Sequence, residues 1–300
     1  MNRTTRAAAV ALALAGCLAG PASAHAAPGD LDRSFDADGK VVFDTGSTVG
    51  AVGSVLQPDG KLVLVGPAGS PGDFSIVRLN ADGSFDLSFD GDGRTTVDFG
   101  GTDEAFAVAR QADGKLVVVG QTSVDSDVAV ARLNPDGSLD DEFDGDGKKR
   151  FGYGGYDGAQ AVAVQPDGKI VIAGFGGPDT VLAVTRLNPD GSFDTGFDGD
   201  GTSGADFGGS DTATAVALQP DGKILVSGTT STPNTWFTGD FAIARFNPDG
   251  SLARRSTSTA RRRSTSPAGT VPPRRCSSPT ARSSWWASRP TPASTSRSSA

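Results

Sequence analysis

The turn Gln165-Pro166-Asp167-Gly168-Lys169 lies between two short apolar runs, and it is one of a series. Near-copies stand at Gln57 to Lys61, Gln111 to Lys115 and Gln219 to Lys223, each 54 residues from the last. Self-similarity at such a period marks a solenoid, a propeller or an array, because one unit cannot bury its apolar face alone. No other feature of the chain limits its fold so tightly.

The second copy shows the unit. Arg94 to Phe99 (RTTVDF) is β-rich and ends at Gly100-Gly101. Glu104 to Gln111 (EAFAVARQ) alternates, with Phe106 and Val108 on one face. Lys115 to Gly120 (KLVVVG) is a continuous apolar run, the pattern of a strand buried on both faces. Asp127 to Asn134 (DVAVARLN) alternates again, and Pro135-Asp136-Gly137 turns the chain into the next copy. Pro presets φ and Gly supplies a positive φ, so such triplets between β-rich runs signal tight turns. Four short strands per period predict an antiparallel meander, the blade of a β-propeller. A β-helix or stacked solenoid is the alternative, but four strands in 54 residues suit a blade better.

The expected fold is therefore all-β, a propeller of four-stranded antiparallel blades. Its copies cover about 31–80, 81–134, 135–188 and 189–247, within a repeat region of 28–250. Copy four is longer by five residues around Thr232 to Gly239, a loop that carries Trp236 and Phe237. Copy three reads AVAVQPDGKIVIAG (Ala161 to Gly174), then LAVTRLNPDGSFDTGFDGDG (Leu182 to Gly201). On these motifs the chain resembles the bacterial delta-60 repeat proteins over about residues 29–250. That resemblance implies a secreted or surface propeller-like protein, with no catalytic residues assigned.

Charge narrows the partners. The net charge of −8 hides a division: residues 251–300 hold ten Arg and no acid, while residues 28–250 carry about −20. Such an acidic body repels nucleic acid and anionic membranes. The only His is His25, and the two Cys are Cys17 and Cys276, all outside the repeats. The repeat body therefore cannot run Ser-His-Asp or Cys-His chemistry, and it lacks the ligands of a typical zinc site.

Arg3 and Arg6 precede an apolar stretch from Ala7 to Ala19, followed by Ala22-Ser23-Ala24-His25-Ala26. This pattern predicts a signal peptide over residues 1–27 and a secreted product. The apolar run is too short for a transmembrane span. Leu14-Ala15-Gly16-Cys17 offers a lipobox instead, which would leave the protein lipid-anchored at Cys17.

From Ala253 onward the composition turns to Arg, Ser, Thr and Pro. Pro279 to Ala287 can be written in codons that, read one base earlier, spell Pro-Asp-Gly-Lys-Val-Val-Val-Val-Gly. The position fits, because 279 is one period plus the five-residue insertion beyond Pro220. The tail, 251–300, reads as a frameshifted fifth blade and is expected to be disordered. Lys40 to Asp44 (KVVFD) reads as an N-terminal strand that closes the ring.

The recurring acidic loops hold the metal candidates: Asp36 and Asp38, Asp90 and Asp92, Asp144 and Asp146, Asp198 and Asp200. Closely spaced carboxylates on Gly-rich loops suit Ca²⁺, the only cofactor considered. The competing reading is an exposed turn whose Asp side chains bond their own backbone. The D-x-D-G spacing, with no bidentate Glu after it, favours the turn. Arg78, Arg132, Arg186 and Arg245 recur at one strand position, which predicts a structural ion pair between blades, to an acidic-loop Asp. Trp236 and Phe237 are candidates for stacking on a sugar or a partner. Glu104 and Glu142 occupy different positions in their repeats, so nothing pairs them as a glycosidase would require. Gly152, Gly154 and Gly155 make no phosphate fingerprint, since no helix follows.

These readings lead to a secreted, non-enzymatic binding or structural scaffold for an extracellular protein or glycan. The alternative is a carbohydrate-acting hydrolase or lyase that uses Asp carboxylates, with or without Ca²⁺. An enzyme would need one blade's loops to depart from the others and gather acids asymmetrically.

Overall fold

The computed structural model describes residues 30–44, 50–69, 72–231 and 239–253. Residues 1–29 with Cys17 and His25, the Trp236–Phe237 loop and the tail from 254 lie outside the described residues. Among the described residues no helix is long and apolar enough to cross a membrane.

The first sheet holds β1 (Gly53–Leu56), β2 (Leu62–Ala68), β3 (Asp73–Leu79) and β4 (Arg94–Val97) in sequence order. The second holds β5 (Asp103–Arg110), β6 (Leu116–Thr122), β7 (Asp127–Leu133) and β8 (Lys148–Phe151). The third holds β9 (Gly158–Val164), β10 (Ile170–Gly176), β11 (Val181–Leu187) and β12 (Thr202–Ala205). The fourth holds three strands, β13 (Ser210–Leu218), β14 (Ile224–Ser231) and β15 (Gly239–Phe246). All pairings are antiparallel, and β1, β5, β9 and β13 lie side by side as the inner strands. The structure is the all-β propeller that the repeat predicts.

Two details differ from the pattern in the sequence. Each of the first three sheets takes its fourth strand from the following sequence copy: β4 pairs with β3, not with β5. The turn that repeats most visibly is therefore not where one blade ends. The second concerns alternation in the inner strands. The ladders slip by one residue at Phe106 in β5, at Gln160 in β9 and at Thr214 in β13. A bulge inserts an unpaired residue and bends its strand, so Phe106 and Val108 do not continue one parity.

The bulge also explains a repeated glycine. A Cβ on Gly120, Gly174 or Gly228 would overlap the inner-strand carbonyl oxygen of Glu104, Gly158 or Thr212. Only glycine permits that approach. The second strands of the two middle sheets, β6 and β10, are buried on both faces as the apolar run predicts, with Leu116, Val117, Val118 and Val119 all 0% exposed, while β2 and β14 alternate with partly exposed residues. The core is shared between sheets, with Phe74, Ile76 and Phe89 in one cluster with Leu116, Val118 and Leu133.

The signature residues hold the blades together. The Lys61 ammonium and the Arg78 Nε both donate to Asp86 Oδ2, at 2.8 and 2.6 Å. Lys115 and Arg132 converge on Asp140, and Lys169 and Arg186 on Asp194, in the same way. The guanidinium of Arg78 then lies over the Phe89 ring and donates to the Pro135 carbonyl of the next repeat at 2.5 Å. The arginine does link blades, but through a proline carbonyl. Its carboxylate partner lies eight residues on, ahead of the acidic loop.

No strand is assigned over Lys40 to Asp44, yet the segment sits where a fourth strand belongs. Phe43 meets Phe85 edge-on at 5.3 Å, as Phe151 of β8 meets Phe193. Arg94 donates to the Asp44 carbonyl at 3.0 Å, as Lys148 does to that of Asp98 at 3.2 Å. The segment stands to the first sheet as β4 stands to the second.

Candidate functional site

The meander has two edges. The lower edge carries the PDGK turns and the acidic loops, and the upper edge carries the β2–β3, β4–β5 and equivalent connections. The eight candidate aspartates all lie on the lower edge. There Asp36, Asp90, Asp144 and Asp198 adopt positive φ. Their N–H groups donate to the carbonyls of Asp82, Asp136, Asp190 and Asp249 in the next PDG turns. Asp38, Asp92, Asp146 and Asp200 each accept the N–H two residues on, at Lys40, Arg94, Lys148 and Thr202. Asp144 pairs with Lys149 as well. Each loop acts as an Asx-type turn that clamps one repeat to the next.

Burial alone would raise the Asp86 carboxyl, but Lys61, Ser88 and Arg78 hold it well below the usual carboxylate range. Asp140 and Asp194 are lowered against the same burial by Lys115 with Arg132 and by Lys169 with Arg186. These groups stay ionised and paired, as structural groups do. Glu142 lies on the lower edge beside Lys115, while Glu104, the second residue of β5, lies on the upper edge. The two Glu therefore face opposite ends.

The upper edge is where the repeats stop matching. Asp103, Asp157 and Asp211 recur there as buried carboxylates that open the inner strands. Each accepts a backbone N–H from the preceding bend, at Phe99, Tyr153 and Phe207. Around them the chain varies. At the junction of the first two sheets, Asp73, Asp98 and Asp103 each bring a carboxylate oxygen within 4.8 Å of the others. Burial first, then the charges of Asp98 and Asp103, push the Asp73 carboxyl up.

One junction further, Gln121 Nε2 donates to Glu104 at 2.8 Å and to the Tyr156 hydroxyl at 2.9 Å. The Tyr156 ring stacks on Phe175 at 5.5 Å and is 59% exposed. Sequence reasoning missed both groups. The available signal was their departure from the repeat: Tyr156 stands where other copies have Thr102 and Ser210, and Glu104 where they have Gly158 and Thr212.

Comparison with known proteins adds the following. Residues 57–89, 111–143, 165–197 and 219–252 match the family model described as "Domain of unknown function (DUF5122) beta-propeller". No curated protein matches the chain in sequence. Among solved structures, a gluconolactonase from Xanthomonas campestris is 15% identical with a TM-score of 0.39, over 66% of this chain and 59% of that one. An alpha-L-arabinofuranosidase from Clostridium thermocellum is 13% identical with a TM-score of 0.40, over 68% and 71%. The chain thus spans less than two thirds of the gluconolactonase's length. The motif resemblance and the family match agree at one level: four segments of the chain, one in each repeat, match a β-propeller family of unknown function.

Proposed function

We propose that this protein is a secreted, non-enzymatic propeller, a binding scaffold whose upper edge receives an extracellular glycan or the glycan of a protein partner. Membership of the delta-60 group and export through the leader are part of the same reading. The observation that carries it is the Tyr156 cluster. An exposed aromatic ring, backed by Phe175, sits beside an amide and a carboxylate fixed by hydrogen bonds. A sugar offers an apolar ring face and flanking hydroxyls, and this surface meets both. A residue needed only for the blade would recur in every copy, and Tyr156 does not.

A polysaccharide binding screen tests the reading. The full chain should retain a ligand, and Tyr156→Ala should weaken binding at least tenfold while unfolding unchanged. Equal binding by the variant would remove the upper edge from consideration.

The second reading, a hydrolase or lyase, draws on the asymmetric acids at the same edge. One oxygen from each of three carboxylates lies within 4.8 Å of the others, a span that a single cation can bridge. Such crowding suits a shared cation better than a split acid and base. Turnover of a polysaccharide in the same screen would reverse this order.

A further inference from the structure

Asp73, Asp98 and Asp103 come from the start of β3, the end of β4 and the start of β5, and only the turn from one sheet to the next assembles them. We propose that they form a calcium site on the upper edge, separate from the acidic loops below.

Geometry is the first argument. Ca²⁺ takes six to eight oxygens at about 2.3–2.6 Å, so opposed ligands stand roughly 4.8 Å apart. The three carboxylates fall within that span, since each offers an oxygen no more than 4.8 Å from the other two. The second argument is the buried member. Asp103 is 0% exposed, and one of its carboxylate oxygens is within 4.8 Å of those of Asp73 and Asp98. Its Oδ2 accepts the Phe99 N–H at 2.6 Å, while Oδ1 has no hydrogen-bond partner. A buried carboxylate oxygen with nothing to accept costs free energy that a bound cation would offset.

Charge balance agrees. Among the described residues none of the three has an ion-pair partner. The nearby Lys148 ammonium goes to the Asp98 backbone carbonyl.

The sibling junctions supply the contrast. Gly152 stands where Asp98 would be, and there Asp157 Oδ1 accepts the Gly177 N–H at 2.7 Å, so that buried carboxylate is satisfied within the chain. At the next junction Asp211 Oδ1 lacks a hydrogen-bond partner as Asp103 Oδ1 does, but Val181 stands where Asp73 would be, so only Asp206 and Asp211 remain to meet a cation. Among the described residues, three carboxylates meet only at the first junction. Hard oxygen ligands without nitrogen or sulfur disfavour zinc and copper, and the spacing suits the longer Ca²⁺–oxygen distance better than that of Mg²⁺.

Equilibrium dialysis of the full chain against Ca²⁺, with thermal unfolding in Ca²⁺ and in EDTA, tests the proposal. One bound ion per chain and a higher Tm in Ca²⁺ are expected. Asp98→Gly and Asp73→Val copy residues that sibling junctions already carry, so both variants should fold. Each should bind Ca²⁺ at least tenfold more weakly and lose the Tm difference. Asp92→Asn and Asp146→Asn, on the lower edge, should bind as the unaltered chain does. Absence of binding at millimolar Ca²⁺ would overturn the site. So would binding unchanged by the upper-edge variants and lost in the lower-edge ones, which would return calcium to the acidic loops.

Discussion

The Ala253 N–H donates to the Arg245 carbonyl at 2.7 Å, the bond that Asp86, Asp140 and Asp194 make to Arg78, Arg132 and Arg186. The backbone of the fourth repeat therefore follows its siblings to residue 253, and the carboxylate alone is missing. Arg245 is exposed where its three counterparts are buried. Lys223, without a central Asp, turns to its own neighbour Asp221. The signature Lys and Arg persist there, but the group they serve does not.

Asp140→Ala would impose on the second blade what the fourth already has. Arg132 is 4% exposed, so it would become a buried cation without a counter-ion, at a cost of about 3–5 kcal/mol. Lys115→Ala removes only the more exposed partner and should cost about 1 kcal/mol or less. Urea unfolding of the two variants measures the difference. Equal effects would mean that the triad is not centred on the buried pair.

Acid should loosen the blades. The carboxyls of Asp86, Asp140 and Asp194 are depressed in the folded protein. Their contribution is present above the unfolded carboxylate value of about 3.9 and is lost as pH falls through the folded values. Asp73 has the opposite sign, because its carboxyl is raised. Its contribution is present below the unfolded value and lost as pH rises through the folded one. Without calcium, Asp73→Asn should thus be more stable than the parent at neutral pH and lose that advantage in acid. Melts across pH in EDTA decide this, and a variant destabilised at neutral pH would contradict it.

Gly174→Ala places a methyl against the Gly158 carbonyl of the bulged strand β9. Backbone cannot yield as a side chain can, so a loss of about 1–3 kcal/mol or more is expected. Gly50→Ala is the comparison, since its Cβ meets nothing within 4 Å, and it should stay within about 0.5 kcal/mol. Denaturant midpoints report both.

The outer edge of β15 is unpaired among the described residues, and Phe241 and Ile243 on it are 94% and 62% exposed. Open apolar edges recruit other chains. Phe241→Lys should lower light scattering on concentration without lowering Tm. Scattering that stayed the same would place the association elsewhere.

The regular part of this protein is legible in its residues. The 54-residue period, the PDGK turns and the apolar run of β6 each report local geometry: Pro and Gly at fixed offsets, and a strand with two dry faces. The Lys–Asp–Arg triad was within reach as well, because Asp86, Asp140 and Asp194 recur at the same period as their partners. Repetition drew attention to the acidic loops, where it served the clamp between blades.

Other features follow from contacts that local pattern does not encode. The cut between blades falls after β4, because the β4–β5 bend, tied by Asp103 to Phe99, carries the chain from one sheet to the next. The slip at Phe106 is a matter of pairing with β6. Asp73, Asp98 and Asp103 meet because antiparallel pairing brings the ends of three strands to one edge. The blade and its count of turns follow from residue order, since those depend on neighbours along the chain. The tertiary structure alone decided which irregular residues share an edge, since that depends on neighbours across it.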